Sequence, residues 1–245
     1  MTRIELINQI FDQTDFTNYL EIGTEKGFSL LPIKCKNKIS VDPFYKIKLR
    51  TKLKWLIKIP ANFNNKYFEE TSDDFFDKRK KVLQDFGSID IAFLDGLHTF
   101  EASLNDVLNS LKYLNPKGII IMHDCFPPHK AAGLPTRDFP RDDEQQVEGW
   151  TGEWCGDVWK TIVYLRTNLS EHLDVCVINT DYGLGIIRIK SKNDTDLSID
   201  KKSFDEIDKM DYDAMIQNGA SMIDLKNVDY AKKIIEEVAA NFPKV

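Results

Sequence analysis

Tyr19-Leu20-Glu21-Ile22-Gly23-Thr24-Glu25-Lys26-Gly27-Phe28-Ser29, followed by Lys38-Ile39-Ser40-Val41-Asp42, decides the fold. An apolar run ends near an acid, Glu21. Two glycines follow at four-residue spacing, Gly23 and Gly27, and a second apolar run ends in Asp42. The order is strand, glycine turn, helix start, strand, carboxylate. Glycine lets backbone approach a ligand where any Cβ would clash. A carboxylate at the end of a second strand can accept from two ribose hydroxyls. This unit is suited to cradling an adenosyl group.

The spacing separates cofactors. A dinucleotide site has three glycines as G-x-G-x-x-G, with its acid about 20 residues on. Here the pattern is acid-x-Gly-x-x-x-Gly and the second acid comes sooner. A pyrophosphate needs bare amides at a helix N-terminus, and Glu21 and Glu25 would repel it. A zwitterionic methionine tail carries an ammonium and tolerates them. The competing structural reading is an ordinary strand-to-helix turn.

Outward from this stretch, strands and helices alternate. Thr2 and Glu5 form a capping box ahead of Leu6, Ile7, Ile10 and Phe11 on one helix face. Strands are expected at Asn18–Ile22, Lys38–Asp42, Lys66–Glu70, Ile89–Leu94 and Ile119–Met122, then a hairpin of Leu173–Asn179 and Gly183–Lys190. Helices are expected at Gly27 to about Ile33, cut short by Pro32, and at Lys46–Ile59, a basic solvated helix. Others follow at 73–86 with Ser72 as cap, Phe100–Leu114, Asp157–Leu169, and much of Ser203–Val245. Asn115-Pro116-Lys117-Gly118 reads as a turn. The result is a doubly wound, mostly parallel seven-stranded α/β sheet with one antiparallel strand and C-terminal helices. One domain, 1–245, is expected, with an insertion or lid at about 125–155 and a helical extension at about 198–245. Ile234 and Ile235 of that extension pack on their own domain or on a partner, so a homo-oligomer is open.

The 245 residues are 42% hydrophobic and 29% charged, as in a globular chain rather than a disordered one. The net charge of -6 weighs against binding a nucleic-acid backbone. No apolar stretch approaches membrane-spanning length, there is no apolar signal core, and four dispersed cysteines form no C-x-x-C pair. A reduced, cytoplasmic setting is the expectation.

In an open α/β sheet, ligands bind beyond the carboxyl ends of the strands. Two polar clusters sit there: Asp95-Gly96-Leu97-His98-Thr99-Phe100-Glu101, and His123-Asp124-Cys125. Helix capping by Asp95 or Thr99, with Asp124 merely ending its strand, is the competing reading. Motif I above, together with Asp-Gly-x-His-Thr-Phe-Glu, Asn-Pro-Lys-Gly, His-Asp and Gly156-Asp157-Val158-Trp159-Lys160, resembles the class I S-adenosylmethionine (SAM) methyltransferases. It is most similar to a bacterial branch tied to sugar and surface-polysaccharide O-methylation, over roughly Asn18–Lys190.

The resemblance implies that Glu21, Gly23, Thr24 and Gly27 hold the methionine moiety, Asp42 the ribose, and Ser72 and Asp73 the adenine. It places Asp95 at the methionine end or on a metal. Related sugar O-methyltransferases use a divalent metal held by an acid after strand four and an acid pair after strand five, with a further acid as base. Here Leu97 stands at that base position and His123 replaces one acid of the pair. Two arrangements follow. His98 or His123 acts as base with Asp124 as its orienter, metal-free, or Asp95, His123 and Asp124 ligate Mg or Mn. The resemblance alone implies a saccharide or other small acceptor methylated at oxygen; no Asn-Pro-Pro-Tyr-type motif of amino-methylating enzymes occurs. His129 can contact substrate, His172 reads as a helix C-cap, and Trp150, Trp154 and Trp159 as lid or core. The alternatives are an NAD-binding oxidoreductase and a non-catalytic SAM-binding protein.

Overall fold

Strands form in this chain where apolar runs are covered on both faces, and they set the frame for everything else. The computed structural model describes residues 1–135, 147–190 and 197–241. Strand β1 (Asn18–Ile22) and β4 (Ile89–Leu94) lie at the centre, and every residue of β4 is buried. Around them run β2 (Asn37–Val41), β3 (Lys66–Phe68), β5 (Leu114–Met122), β6 (Leu173–Ile178), β7 (Leu184–Ile189) and β8 (Leu225–Lys226). The order is β3-β2-β1-β4-β5-β7-β6-β8. Only β7 runs against its neighbours, pairing antiparallel with both β5 and β6. The chain winds outward one way from β1 and the other way from β4, so the switch point falls between them.

This is the expected doubly wound sheet with one corrected count: eight strands rather than seven. The eighth is two residues long and pairs Val177 with Leu225 and Ile178 with Lys226. Two residues carry no periodicity, so only the docking of the C-terminal segment on the sheet edge creates that strand.

Helix α1 (Arg3–Gln13) begins with the expected Thr2–Glu5 capping box and buries Leu6, Ile7, Ile10 and Phe11. Its partner is α9 (Tyr230–Asn241), whose Ile234, Ile235 and Val238 join the same core cluster. Each such burial contributes about 1.5–3 kcal/mol, so α9 packs on its own domain as an integral part of it. The opposite face of the sheet carries α3 (Ser72–Lys78), α4 (Lys80–Phe86), α5 (Phe100–Leu111), α6 (Trp159–Asn168), α7 (Lys201–Asp208) and α8 (Tyr212–Met222). The larger core lies here, centred on Phe100, Leu104, Val107 and Trp159.

Several local expectations are corrected. Residues 25–32 are successive turns, not a helix, because Pro32 has no N–H to extend a second turn. The cap of α3 is Thr71, whose hydroxyl accepts from Asp74 N, so Ser72 is inside the helix. The expected 73–86 helix breaks at Arg79 into α3 and α4. Asn115–Gly118 lies within β5 as an irregularity, since the register jumps from Ile89–Leu114 to Ile91–Ile119. The basic helix is α2 (Leu49–Lys58), which buries no residue at all. All four cysteines are free and buried, and among the described residues no helix is long and apolar enough to cross a membrane. Parts of the expected insertion (136–146) and of the C-terminal extension (242–245) lie outside the described residues.

Candidate active site

The loop after β1 is held from below and behind. Gly23 N donates to Val41 O at 3.0 Å, and Gly27 N donates to Thr24 O at 2.7 Å, closing the turn. Gly23 has φ +84°, and a Cβ there would lie 1.9 Å from the Asp95 carbonyl oxygen. The β1 and β4 loops therefore touch backbone to backbone. Glu21 is fully buried; Tyr19 donates to Oε2 at 2.6 Å and Ser29 to Oε1 at 2.9 Å. Thr24 shares a 2.8 Å hydrogen bond with Ser40. Of the four predicted methionine-loop residues, Glu21 and Thr24 thus brace the loop, and Gly23 and Gly27 shape its path. Asp42 ties the two loops together, accepting from Glu25 N and from Phe44 N, both at 2.7 Å.

Burial pushes the Glu21 carboxyl up to about 7, against the hydrogen bonds from Tyr19 and Ser29 that favour its charge. An acid whose folded pKa exceeds its unfolded one binds more protons when folded, so stability falls as pH rises between the two values. The native chain is expected to lose roughly 3 kcal/mol of stability from this group between pH 4.5 and pH 7. Glu21→Gln should flatten that part of the curve, which thermal unfolding across the pH range measures. An unchanged slope would show that Glu21 ionises freely.

At the next strand end, Ser72 and Asp73 open α3, and Ser72 favours the charged form of the Asp106 carboxyl on α5. Asp106 is buried, its Oδ1 has no hydrogen-bond partner, and burial pushes its pKa up to about 7. It lines the same small cavity as Asp95, Gly96, His98, His123 and Asp124. Sequence reasoning missed Asp106, yet the signal was present. Ser103, Asp106 and Ser110 recur at helical spacing, and all three are buried in a helix whose other buried positions are mostly apolar.

The two polar clusters do converge. His98 Nε2 lies 3.4 Å from Asp95 Oδ1 and 3.3 Å from Asp124 Oδ2. His123 Nδ1 lies 3.3 Å and 3.1 Å from the same two oxygens. Burial opposes charge on His98, but Asp95 and Asp124 more than reverse this and raise its pKa to about 8. The two imidazoles likewise outweigh the burial of Asp95 and hold its carboxyl below the usual range.

The ring orientations follow from the other nitrogens. His98 Nδ1 is 2.7 Å from Trp154 O, an acceptor only, so Nδ1 carries the hydrogen and Nε2 faces the carboxylates. His123 Nε2 is 2.9 Å from Arg3 Nη1 and 3.6 Å from Asp181 Oδ1. Burial opposes charge on this ring, but Asp124, Asp181 and Asp95 outweigh it and raise its pKa to about 11, so the ring is held protonated. Arg3 is itself clamped by Asp181, through Nη1 at 2.9 Å and its backbone N at 2.7 Å. Neither Arg3 nor Asp181 was legible in the sequence. They meet His123 only because α1 packs beside the β6–β7 turn.

The insertion ends close over this cluster. Trp154 stacks obliquely at 5.5 Å from His98 and donates Nε1 to Leu134 O. Asp157 of the Gly156–Lys160 run accepts from Phe100 N and pairs with buried Lys160, fixing the start of α5. Thr99 also caps that helix, so the capping expectation holds for Thr99. Trp159 is core. His129 bonds Thr151 and Ala132 N within its own loop, and His172 lies in the turn between α6 and β6. Leu97 is exposed at the rim.

A divalent ion can be tested against this donor set. Ligand atoms bound at about 2.0–2.2 Å to one ion sit roughly 2.8–3.6 Å apart. Asp95, His98 and Asp124 present atoms that all lie within 4.8 Å of one another. His98 also donates its second nitrogen to a carbonyl, as metal-bound histidines do. His123 is not in that group, and the carboxylates of Asp124, Asp181 and Asp95 hold its ring protonated. Among the described residues, Asp95, His98 and Asp124 are the group that could hold an ion.

A family model described as "Methyltransferase domain" matches residues 20–125, which spans the two strand-end loops and both histidines. An uncharacterized protein of Acanthamoeba polyphaga mimivirus is 30% identical over 127 residues, 49% of this chain and 57% of that one. The chain therefore spans little more than half the length of that relative. Among solved structures, the SAM-bound O-methyltransferase TomG of Streptomyces achromogenes, involved in tomaymycin synthesis, superposes with a TM-score of 0.53 at 11% identity, covering 77% of this chain and 78% of that one. The SAH-bound methyltransferase PaMTH1 of Podospora anserina gives 0.51 at 18% identity, covering 78% and 80%.

Proposed function

With its sheet in the Rossmann-like methyltransferase fold, the chain is, we propose, a SAM-dependent O-methyltransferase acting on a hydroxyl of a saccharide or other small acceptor. The observation that carries this is the convergence of Asp95, His98, His123 and Asp124 beside the Gly23 loop, at the switch point of the sheet. Two solved proteins of this fold carry SAM or SAH. Asp42 takes the ribose hydroxyls, Ser72 and Asp73 face the adenine, and the Gly23–Gly27 loop holds the methionine moiety.

Methyl transfer from a sulfonium is an in-line displacement that needs an acceptor oxygen about 3 Å from the methyl carbon and little water. The acceptor hydroxyl is a poor nucleophile until it loses its proton. His98 Nε2 accepts that proton, and the paired carboxylates stabilise the imidazolium that forms. Arg3 and Asp181 keep His123 turned so that its Nδ1–H faces the two carboxylates. In the alternative form of the site, a divalent ion held by Asp95, His98 and Asp124 would supply Lewis acidity for the acceptor oxygen, and His98, its lone pair committed, would not act as the base.

Calorimetry with SAM tests the reading. Binding is expected for the native chain. Asp42→Ala should weaken it roughly 10–100-fold, as one or two charge-assisted hydrogen bonds are lost. Heat with NAD but none with SAM would replace this reading with that of a dehydrogenase. Binding without turnover over a panel of sugar hydroxyls would leave a SAM-binding protein.

A further inference from the structure

The segment Pro43–Phe68 holds Lys46, Lys48, Arg50, Lys52, Lys54, Lys58 and Lys66 and not one Asp or Glu, in a chain of net charge -6. Its helix α2 buries nothing. Leu49 (71% exposed), Leu53 (52%) and Ile57 (83%) recur every four residues and so form one outward row. Arg50, Lys54 and Lys58 follow each of them by one residue, giving a parallel row of cations. Phe44 and Phe63 extend the apolar row beyond both ends of the helix. Half of the ten large hydrophobic side chains exposed among the described residues belong to this one stretch, which is too concentrated for the scattered exposure of an ordinary surface.

The helix is nevertheless firmly attached. Lys52 lies 4.1 Å over the Tyr67 ring. Asn62 donates to Trp55 O at 3.2 Å and to Leu31 O at 3.1 Å. Lys46 N donates to Glu25 O. Lys46 is ion-paired with Glu25, but among the described residues Lys48, Arg50 and Lys54 have no carboxylate partner.

We propose that α2 and its flanks form a docking surface for an anionic lipid bilayer. An apolar row beside a cationic row on a fixed helix is the pattern that lies in a membrane interface, with the apolar side chains about 5–10 Å into the headgroup boundary and the cations on lipid phosphates. A nucleic acid would pair with the cations and leave Leu49, Leu53 and Ile57 in water. A protein partner would need a groove of matching shape and an acidic rim. A bilayer satisfies both rows at once. This inference does not depend on the proposed catalytic activity.

The test is co-sedimentation of the full chain with phosphatidylcholine vesicles, with and without a quarter of phosphatidylglycerol. Binding is expected only to the anionic vesicles and should weaken as salt rises. Lys54→Gln should lower the partition about fivefold. The double variant Leu53→Gln, Ile57→Gln should lower it more than tenfold. Both variants lie on the exposed face, and an unchanged unfolding midpoint verifies the fold. Equal behaviour towards both vesicle types, or no sedimentation with either, overturns the proposal. So does a dimer of the native chain that the double variant dissociates, or retention of labelled single- or double-stranded nucleic acid in place of vesicles.

Discussion

His98→Ala is expected to transfer methyl groups about 10²–10⁴-fold more slowly than the native chain, while binding SAM with little change. Of the two histidines at the site, His98 has the free nitrogen. Its Nδ1 is committed to Trp154 O, so Nε2 is presented to Asp95, Asp124 and the cavity. His123 has its Nε2 covered by Arg3 and its Nδ1–H turned to the carboxylates, and it is nearly buried. Alanine at His123 should therefore cost less, by disturbing the carboxylates rather than removing the base. The pH profile separates two forms of the role. As a metal-free base with pKa about 8, His98 works only when deprotonated, so kcat/KM should climb through pH 8 to a plateau. As a ligand its lone pair is committed, and activity should instead vanish on chelation and return with Mn. Full turnover by His98→Ala would remove it from the chemistry altogether.

The choice between the histidines could not be made from the sequence, and the reason is physical. Strand ends are legible because a strand covered on both faces is a continuous apolar run. β1 and β4 fell where those runs place them, and Asp95, His98, His123 and Asp124 were singled out by lying just past such ends. What orients each ring comes from far away. Arg3 and His123 are separated by 120 residues, and Trp154 reaches His98 from the insertion. No spacing rule connects such pairs, since they meet only after α1 and the Trp154 segment pack. Local signals also misled where a single residue overruled a pattern. The Gly27–Ile33 stretch has helical spacing but turns at each step, and Thr71, one residue earlier than expected, caps α3. The metal assignment shows the same limit. Residue types suggested Asp95, His123 and Asp124, whereas the carboxylates around His123 hold its ring protonated and leave His98 as the nitrogen donor.

Gly23→Ala is the second substitution with a large expected effect, and Gly149→Ala is its control. The two glycines have similar φ, +84° and +78°, but a Cβ at Gly149 meets nothing within 4 Å while one at Gly23 would sit 1.9 Å from the Asp95 carbonyl oxygen. Placing alanine at positive φ costs about 1–2 kcal/mol at either site. At Gly23 a further about 1–3 kcal/mol or more arises from overpacking, because the obstacle is backbone and cannot rotate away. Relief by movement is also resisted. Asp95 N donates to Ile22 O at 2.9 Å, and the two strands are paired up to Ile22 and Leu94. The expected fall in unfolding midpoint is thus about 2–8 °C for Gly149→Ala, and at least twice that for Gly23→Ala. If the Asp95 loop shifts to make room, Asp95 leaves Nε2 of His98, so affinity for SAM and turnover should fail together in Gly23→Ala and survive in Gly149→Ala. Equal midpoints for the two variants would mean that the β1 and β4 loops are not in contact, and the arrangement of the site above them would have to be redrawn.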